Sequence, residues 1–275
     1  MRAFLVLNKT ARKGFMNIYS WCIAFFCFIF LEPWPICSSG HALLLAPLTT
    51  FFKSSTLILS MMDHVAHMPI ALTLLLFFLP AWFDFFKDSW QQGSLLIIIG
   101  AGIVIDLITV ICYLCFAIVD KEIFPLWLGF FITASLLISL HFCPAGNSTF
   151  IPSISSVLLL GLAQGVALLP GISRLGATFV TARWLGVSPS LAFSLCFLIG
   201  WPINVAGGIL GFVKMTGAGL MEKLLHPWVV TTIVVASTGA FLGLSVMRWL
   251  VVHNYVWLLG IYEFIPMLLA FFVAY

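Results

Sequence analysis

Glutamate, serine and histidine fall close together at Glu32-Pro-Trp-Pro-Ile-Cys-Ser-Ser-Gly-His41, inside an otherwise hydrocarbon-like chain. A hydroxyl beside a carboxylate and an imidazole is the minimum for nucleophilic catalysis, with Ser38 attacking, Glu32 or His41 as base and Ser39 as a substrate-binding neighbour. The Glu32 carboxylate can equally ligate a hard divalent cation, Mg²⁺ or Ca²⁺. A purely structural reading of the same residues makes Ser38 a helix cap and His41 an interfacial histidine. A second island, Pro170-Gly-Ile-Ser-Arg-Leu-Gly-Ala-Thr178, carries binding rather than nucleophilic chemistry. Pro170-Gly171 stops a helix, Ser173 can cap the next one, and Gly176 permits close backbone approach. A helix N-terminus offers unpaired N–H groups and a positive dipole end, and the planar fork of Arg174 suits bidentate phosphate binding. The competing reading has Arg174 snorkelling or paired with a carboxylate such as Asp106.

These groups stand out because of what surrounds them. The 275 residues are 63% hydrophobic and 8% charged, against about 25% charged in a soluble domain. A charge near a bilayer centre costs roughly 2.5–3.5 kcal/mol on insertion scales, so those retained there usually bind something. The long unbroken apolar runs exclude the alternation of a membrane β-barrel and predict an all-α polytopic membrane protein. The net charge of +3 is small and dispersed, which argues against a nucleic-acid partner. Arg2, Lys9, Arg12 and Lys13 precede the first apolar run and, by the positive-inside rule, place the N-terminus in the cytoplasm. The seven cysteines show neither a disulfide framework nor paired zinc spacing, Cys112-x-x-Cys115 included, and read as membrane-core fillers.

Candidate spans lie near 66–86, 94–118, 124–142, 190–213, 227–250 and 255–274. Two further segments, 15–51 and 154–187, are each an apolar run, a polar Pro-containing break and a short second run. Irregular backbone at membrane depth is tolerated only when buried in protein or lining a cavity. Paired interrupted segments point to an inverted repeat with its site where the breaks meet. The expectation is one integral membrane domain over 1–275, with about six transmembrane helices and two re-entrant helix-loop-helix hairpins. The breaks share a spacing, Pro35-x-x-Ser38 and Pro170-x-x-Ser173, each followed by glycine. Asp106 and Arg183 sit in apolar context as a potential structural pair, and Trp82, Trp90, Trp127 and Trp249 read as interfacial belts.

Pro35-Ile-Cys-Ser-Ser-Gly-His41 resembles the Pro-Ile-Ser-Ser-Thr-Gly-His motif of the undecaprenyl-diphosphate phosphatases of the bacitracin-resistance type. Pro170 to Thr178 resembles their Pro-Gly-x-Ser-Arg-Ser-Gly-x-Thr motif, with Gln164 upstream at the expected place. Asp63-x-x-x-His67, Phe197 to Pro202 and His253 to Tyr262 are similar to three further segments, so the likeness runs along nearly the whole chain. The resemblance implies a multi-pass enzyme of the bacterial inner membrane that removes a phosphate from a polyprenyl diphosphate lipid. It implies Ser38 as nucleophile, His41 as base or acid, and Glu32 as the second glutamate of a cation-associated pair. Ser173, Arg174 and Thr178, with Gly171 and Gly176, fall on the diphosphate-binding loop. The departures are Phe28 where the first glutamate stands, Cys37 for the first motif serine, Leu175 for the second Ser of Ser-Arg-Ser, and Glu263 in place of Arg after Tyr262. Loss of that first carboxylate at Phe28 weakens the cation expectation. It also keeps open a different class of function, a polyprenyl-phosphate binder or flippase that does not hydrolyse its ligand.

Overall fold

The computed structural model describes residues 18–48, 56–118, 124–146 and 152–274. The basic cluster Arg2 to Lys13, the Asp120–Glu122 turn and the outermost expected hairpin residues, 15–17 and 49–51, lie outside them. The regular elements there are helices: α1 (Ile18–Leu31), α2 (Ser38–Leu48), α3 (Thr56–Gln91), α4 (Leu95–Ile118), α5 (Leu126–Ser139), α6 (Ile154–Val166), α7 (Arg174–Trp184), α8 (Pro189–Gly217), α9 (Met221–Leu224), α10 (Pro227–Val252) and α11 (Trp257–Ala274). A 3-10 turn, Leu140–Phe142, extends α5. Helices α3, α4, α8 and α10 are long and apolar enough to cross a membrane, which takes about 20 residues. Helices α5 and α11 are shorter, apolar and packed on each other. The protein is therefore a multi-pass, all-α membrane protein.

The arms of the two interrupted segments have 14 and 11 residues in α1–α2 and 13 and 11 in α6–α7. At ~1.5 Å per residue none of these arms, over the described residues, reaches across a ~30 Å hydrocarbon core, which fits the expected hairpins that turn back at their polar breaks. Helices α3, α4 and α5 separate the hairpins. The packing pairs the two halves of the chain. Helix α3 lies on α8 and α5 on α11, while α10 covers α1 as α4 covers α6, and α11 meets α2 as α5 meets α7. This is the inverted repeat expected from the paired breaks.

Close helix contacts bring the hairpins together. A Cβ on Gly211 of α8 would stand 2.4 Å from the backbone N of Val65, and one on Gly208 2.9 Å from Met68 N. Small residues thus let α3 and α8 approach backbone to backbone, as membrane helices do. That approach sets the α3 face carrying Asp63 and His67 opposite the middle of α8. Gly129 of α5 is tighter still, since a Cβ there would meet Pro170 O at 2.0 Å and Gly171 Cα at 2.8 Å. Gly171 itself adopts φ +83, a left-handed conformation that favours glycine. The second break is therefore wedged against α5.

Several boundaries and partners differ from expectation. Helix α3 begins ten residues before 66 and continues through the expected Lys87–Gly93 loop to Gln91; continuous packing on α8 overrides the polar turn signals. Arg183 and Asp106 do not pair. Arg183 donates to the carbonyls of Pro144, Ala145 and Val187, pinning the end of α7 to the loop before α6, whereas Asp106 accepts from Gln164 Nε2 at 3.0 Å. Trp82 is no belt residue: it is buried and donates to Ser194 O at 3.3 Å, while Trp90 and Trp249 are exposed. All seven cysteines are free.

Candidate functional site

Leu31 ends α1 because Pro33 and Pro35 cannot donate the amides a continuing helix needs. The chain turns, with Trp34 N donating to Leu31 O at 3.1 Å, and restarts at Ser38. Cys37 caps the new helix: its Sγ accepts from Gly40 N at 3.2 Å, and His41 N bonds Cys37 O at 3.0 Å. In the second hairpin Ser173 does the same for α7, its Oγ accepting from Gly176 N at 3.0 Å. The thiol of Cys37 thus takes the capping role of a serine. The equivalence shifts by one residue from the shared Pro-x-x-Ser spacing: Cys37 matches Ser173 and Gly40 matches Gly176. Ser38 is therefore the counterpart of Arg174, each the first residue of its helix.

The two breaks touch. A Cβ on Gly40 would lie 3.1 Å from Gly171 Cα, and one on Gly176 3.1 Å from Pro35 O. From behind, Thr133 of α5 fixes the second break, donating to Gly171 O and accepting from Ser173 N, both at 3.0 Å. The first-turn N–H groups of two facing helices therefore converge on one place, which concentrates positive potential there.

Glu32 joins the halves. Its Oε2 accepts from Ser38 Oγ at 2.9 Å, and its Oε1 accepts from Arg174 Nη2 at 2.7 Å. The same Nη2 donates to Asn204 Oδ1 of α8 at 2.6 Å. These groups line a cavity of about 360 Å³ together with Ser39, Ser173, Thr178, and Asp63, His64 and His67 of α3. Apolar residues, among them Phe28, Leu43, Leu59 and Leu168, complete its walls. A carboxylate poised on a serine hydroxyl, next to a guanidinium and two helix N-termini, is equipped to activate a nucleophile and neutralise a phosphoryl group.

Other expected site residues are placed differently. His41 does not line the cavity. Its Nδ1 lies 2.7 Å from Cys37 O and its Nε2 3.1 Å from Tyr262 Oη, with the His41 and Tyr262 rings stacked 5.9 Å apart. A carbonyl only accepts, so Nδ1 carries a proton and donates it to Cys37 O. His41 thus braces the first break against α11 and makes no side-chain hydrogen bond with Ser38. Gly171 and Gly176 also lie off the cavity, as packing residues. Thr178 lines it but donates its hydroxyl to Arg174 O at 2.8 Å. Gln164 supports the site from outside, bonding Asp106 and Thr109.

Among the cavity residues that could ligate a cation are Glu32, Asp63, His64 and His67. Both oxygens of Glu32 are engaged by protein donors, and Phe28 offers none. Among the described residues no group of three or more His, Cys, Asp or Glu is arranged to hold a metal ion.

Asn204 and Thr133 were not anticipated. Asn204 left a signal, since it is the one amide or charged residue between Arg183 and Lys214 in an apolar run. Thr133 left none, because threonines bonding their own helix look the same in sequence.

The profile of the bacitracin resistance protein BacA family matches residues 30–269. The chain is 28% identical over 237 residues to an undecaprenyl-diphosphatase of Elusimicrobium minutum, covering 81% of this chain and 83% of that protein. A Bacillus cereus protein named undecaprenyl-diphosphatase 1 is 37% identical over 81 residues, 30% of each chain. An undecaprenyl-diphosphatase of Psychrobacter cryohalolentis is 42% identical over 62 residues, 22% of each.

Proposed function

We propose, from the premise that the chain belongs to the bacitracin resistance protein BacA family, that it hydrolyses undecaprenyl diphosphate to the monophosphate and phosphate. One observation carries the reading: Glu32 holds the Ser38 hydroxyl on one oxygen and the Arg174 guanidinium on the other. The diphosphate of the lipid enters the polar cavity while the isoprenoid chain stays among the apolar helices. Ser38 Oγ attacks the terminal phosphorus and passes its proton to Glu32. The bond from that phosphorus to the bridging oxygen breaks, and undecaprenyl monophosphate departs. Glu32 returns its proton to the departing monophosphate, and a water then attacks the phosphoserine, giving Glu32 a proton that passes to Ser38 Oγ as phosphate leaves. Arg174 and the amides opening α2 and α7 offset the charge spreading over the transferred phosphoryl oxygens. The mechanism needs no other protein group at the reacting atoms.

In the cell this activity would belong to the bacterial inner membrane, returning the lipid carrier to peptidoglycan precursor synthesis and lowering sensitivity to bacitracin. The test is phosphate release from undecaprenyl diphosphate by purified protein, with and without chelator, beside Ser38→Ala. Release by the wild type that vanishes in the variant is expected. Lipid binding or transbilayer movement without release would replace the enzyme by a carrier.

A further inference from the structure

Asn204 is missing from every motif that marks the site, yet it is one of the two acceptors that fix Arg174. It lies in the interior of α8, two residues after Pro202, and is 3% exposed. Its Oδ1 stands 2.6 Å from Arg174 Nη2, and the guanidinium is donor-only. That settles the orientation of the amide: the oxygen must face Arg174, so the NH₂ end must point elsewhere. Asn204 lines the cavity, and its NH₂ end has no acceptor among the described residues. Nη2 of Arg174 is in turn occupied by Glu32 and Asn204, which leaves the Nε and Nη1 donors of the fork for a ligand. Glu32 comes from the first hairpin, Arg174 from the second and Asn204 from a span, so three independent elements determine where the guanidinium points.

We infer that Asn204 is a second diphosphate-binding residue of this site, which positions Arg174 through its carbonyl oxygen and donates to a ligand phosphate oxygen through its NH₂. The inference rests on the diphosphatase reading for the identity of the ligand and on geometry alone for the binding role. The donor is neutral, so it adds a phosphate contact without adding a second cation beside Arg174. A carboxylate at this position would hold Arg174 equally well but would turn a lone pair and a negative charge toward the phosphate.

The variants Asn204→Asp and Asn204→Ala separate the two roles. Inorganic pyrophosphate is the binding probe, measured calorimetrically with full-length protein in detergent, and phosphate release from undecaprenyl diphosphate gives KM and kcat. Asn204→Asp keeps an acceptor for Arg174, so its melting temperature is expected to match wild type while pyrophosphate affinity falls and KM rises about tenfold or more, the range for losing a hydrogen bond to a charged group. Asn204→Ala frees Arg174 as well, so kcat falls in addition. A residue that only packed α8 would change melting without this split. Wild-type affinity and KM in a folded Asn204→Asp protein would overturn the inference while leaving the hydrolase reading intact. Pyrophosphate binding that depends on Asn204 in a wild type that releases no phosphate would sustain the inference and overturn the hydrolase reading. Absence of pyrophosphate binding to the wild type would overturn the binding role itself.

Discussion

Replacing Glu32 by glutamine tests the central assignment, because the change keeps the side chain's size and one acceptor oxygen while removing its capacity to take a proton. Two contacts are at stake, Ser38 Oγ at 2.9 Å and Arg174 Nη2 at 2.7 Å. Loss of a positioned general base is worth about 10²–10⁴ in rate, or ~2.7–5.4 kcal/mol of barrier at 1.36 kcal/mol per decade. The ion pair adds little to stability, since its side chains are 21% and 16% exposed and a partly solvated pair contributes about 1 kcal/mol or less. The expected result is therefore a kcat lower by about two to four orders of magnitude with a nearly unchanged melting temperature. His41→Gln supplies the contrast. His41 neither bonds Ser38 nor lines the cavity, and besides its ring packing on Tyr262 and Phe130 it loses only its bonds to Cys37 O and Tyr262 Oη. At about 1 kcal/mol net for each such bond, its loss of activity should stay within roughly 2 kcal/mol, well short of the base deletion. Single-turnover phosphate release in detergent micelles, with thermal melting of each variant, makes the comparison. A Glu32→Gln enzyme within about tenfold of wild type, well inside the range for losing a base, would refute the assignment. So would a His41→Gln enzyme more impaired than Glu32→Gln.

Three further outcomes follow from the packing around the site. Cys37→Ser preserves a cap for Gly40 N and should leave melting and activity unchanged, whereas Cys37→Ala should cost about 0.5–2 kcal/mol, the usual value of a lost cap; equal melting of the two variants would show that the thiol contributes no capping. Gly129→Ala places a methyl against the Pro170 carbonyl and the Gly171 backbone, neither of which is a flexible side-chain end, so destabilisation of at least about 1–3 kcal/mol is expected, with lost activity as the second break shifts. Normal activity at normal stability would contradict the observed wedge. Glu263 is fully buried in α11 beside Cys37, whose backbone amide approaches its carboxylate without completing a well-formed hydrogen bond to either oxygen. Glu263→Gln removes the potential cost of a buried charge and should hold or raise the melting temperature; a clear drop would mean that the carboxylate makes a stabilising contact.

Composition and local chemistry determined much of this protein from its sequence. A bilayer tolerates only internally satisfied backbone, so long apolar runs with few charges become spanning helices and paired proline breaks become hairpins. The same cost makes Glu32, Ser38 and Arg174 conspicuous before any fold is known. What the sequence left open was partnership. Glu32 and Arg174 lie 142 residues apart, and nothing local says that Arg174 meets Glu32 instead of Asp106. Nor does Ser-x-x-His spacing reveal that the imidazole turns back to Tyr262 and leaves the serine to the carboxylate. The one-residue shift that makes Cys37 a cap and Ser38 the counterpart of Arg174 depends on where each helix starts against its neighbour. Those choices were made by tertiary packing, through the glycine contacts that seat α3 on α8 and the second break on α5. Hydrogen bonds across such interfaces act over about 3 Å, and only the assembled helices decide which side chains come that close.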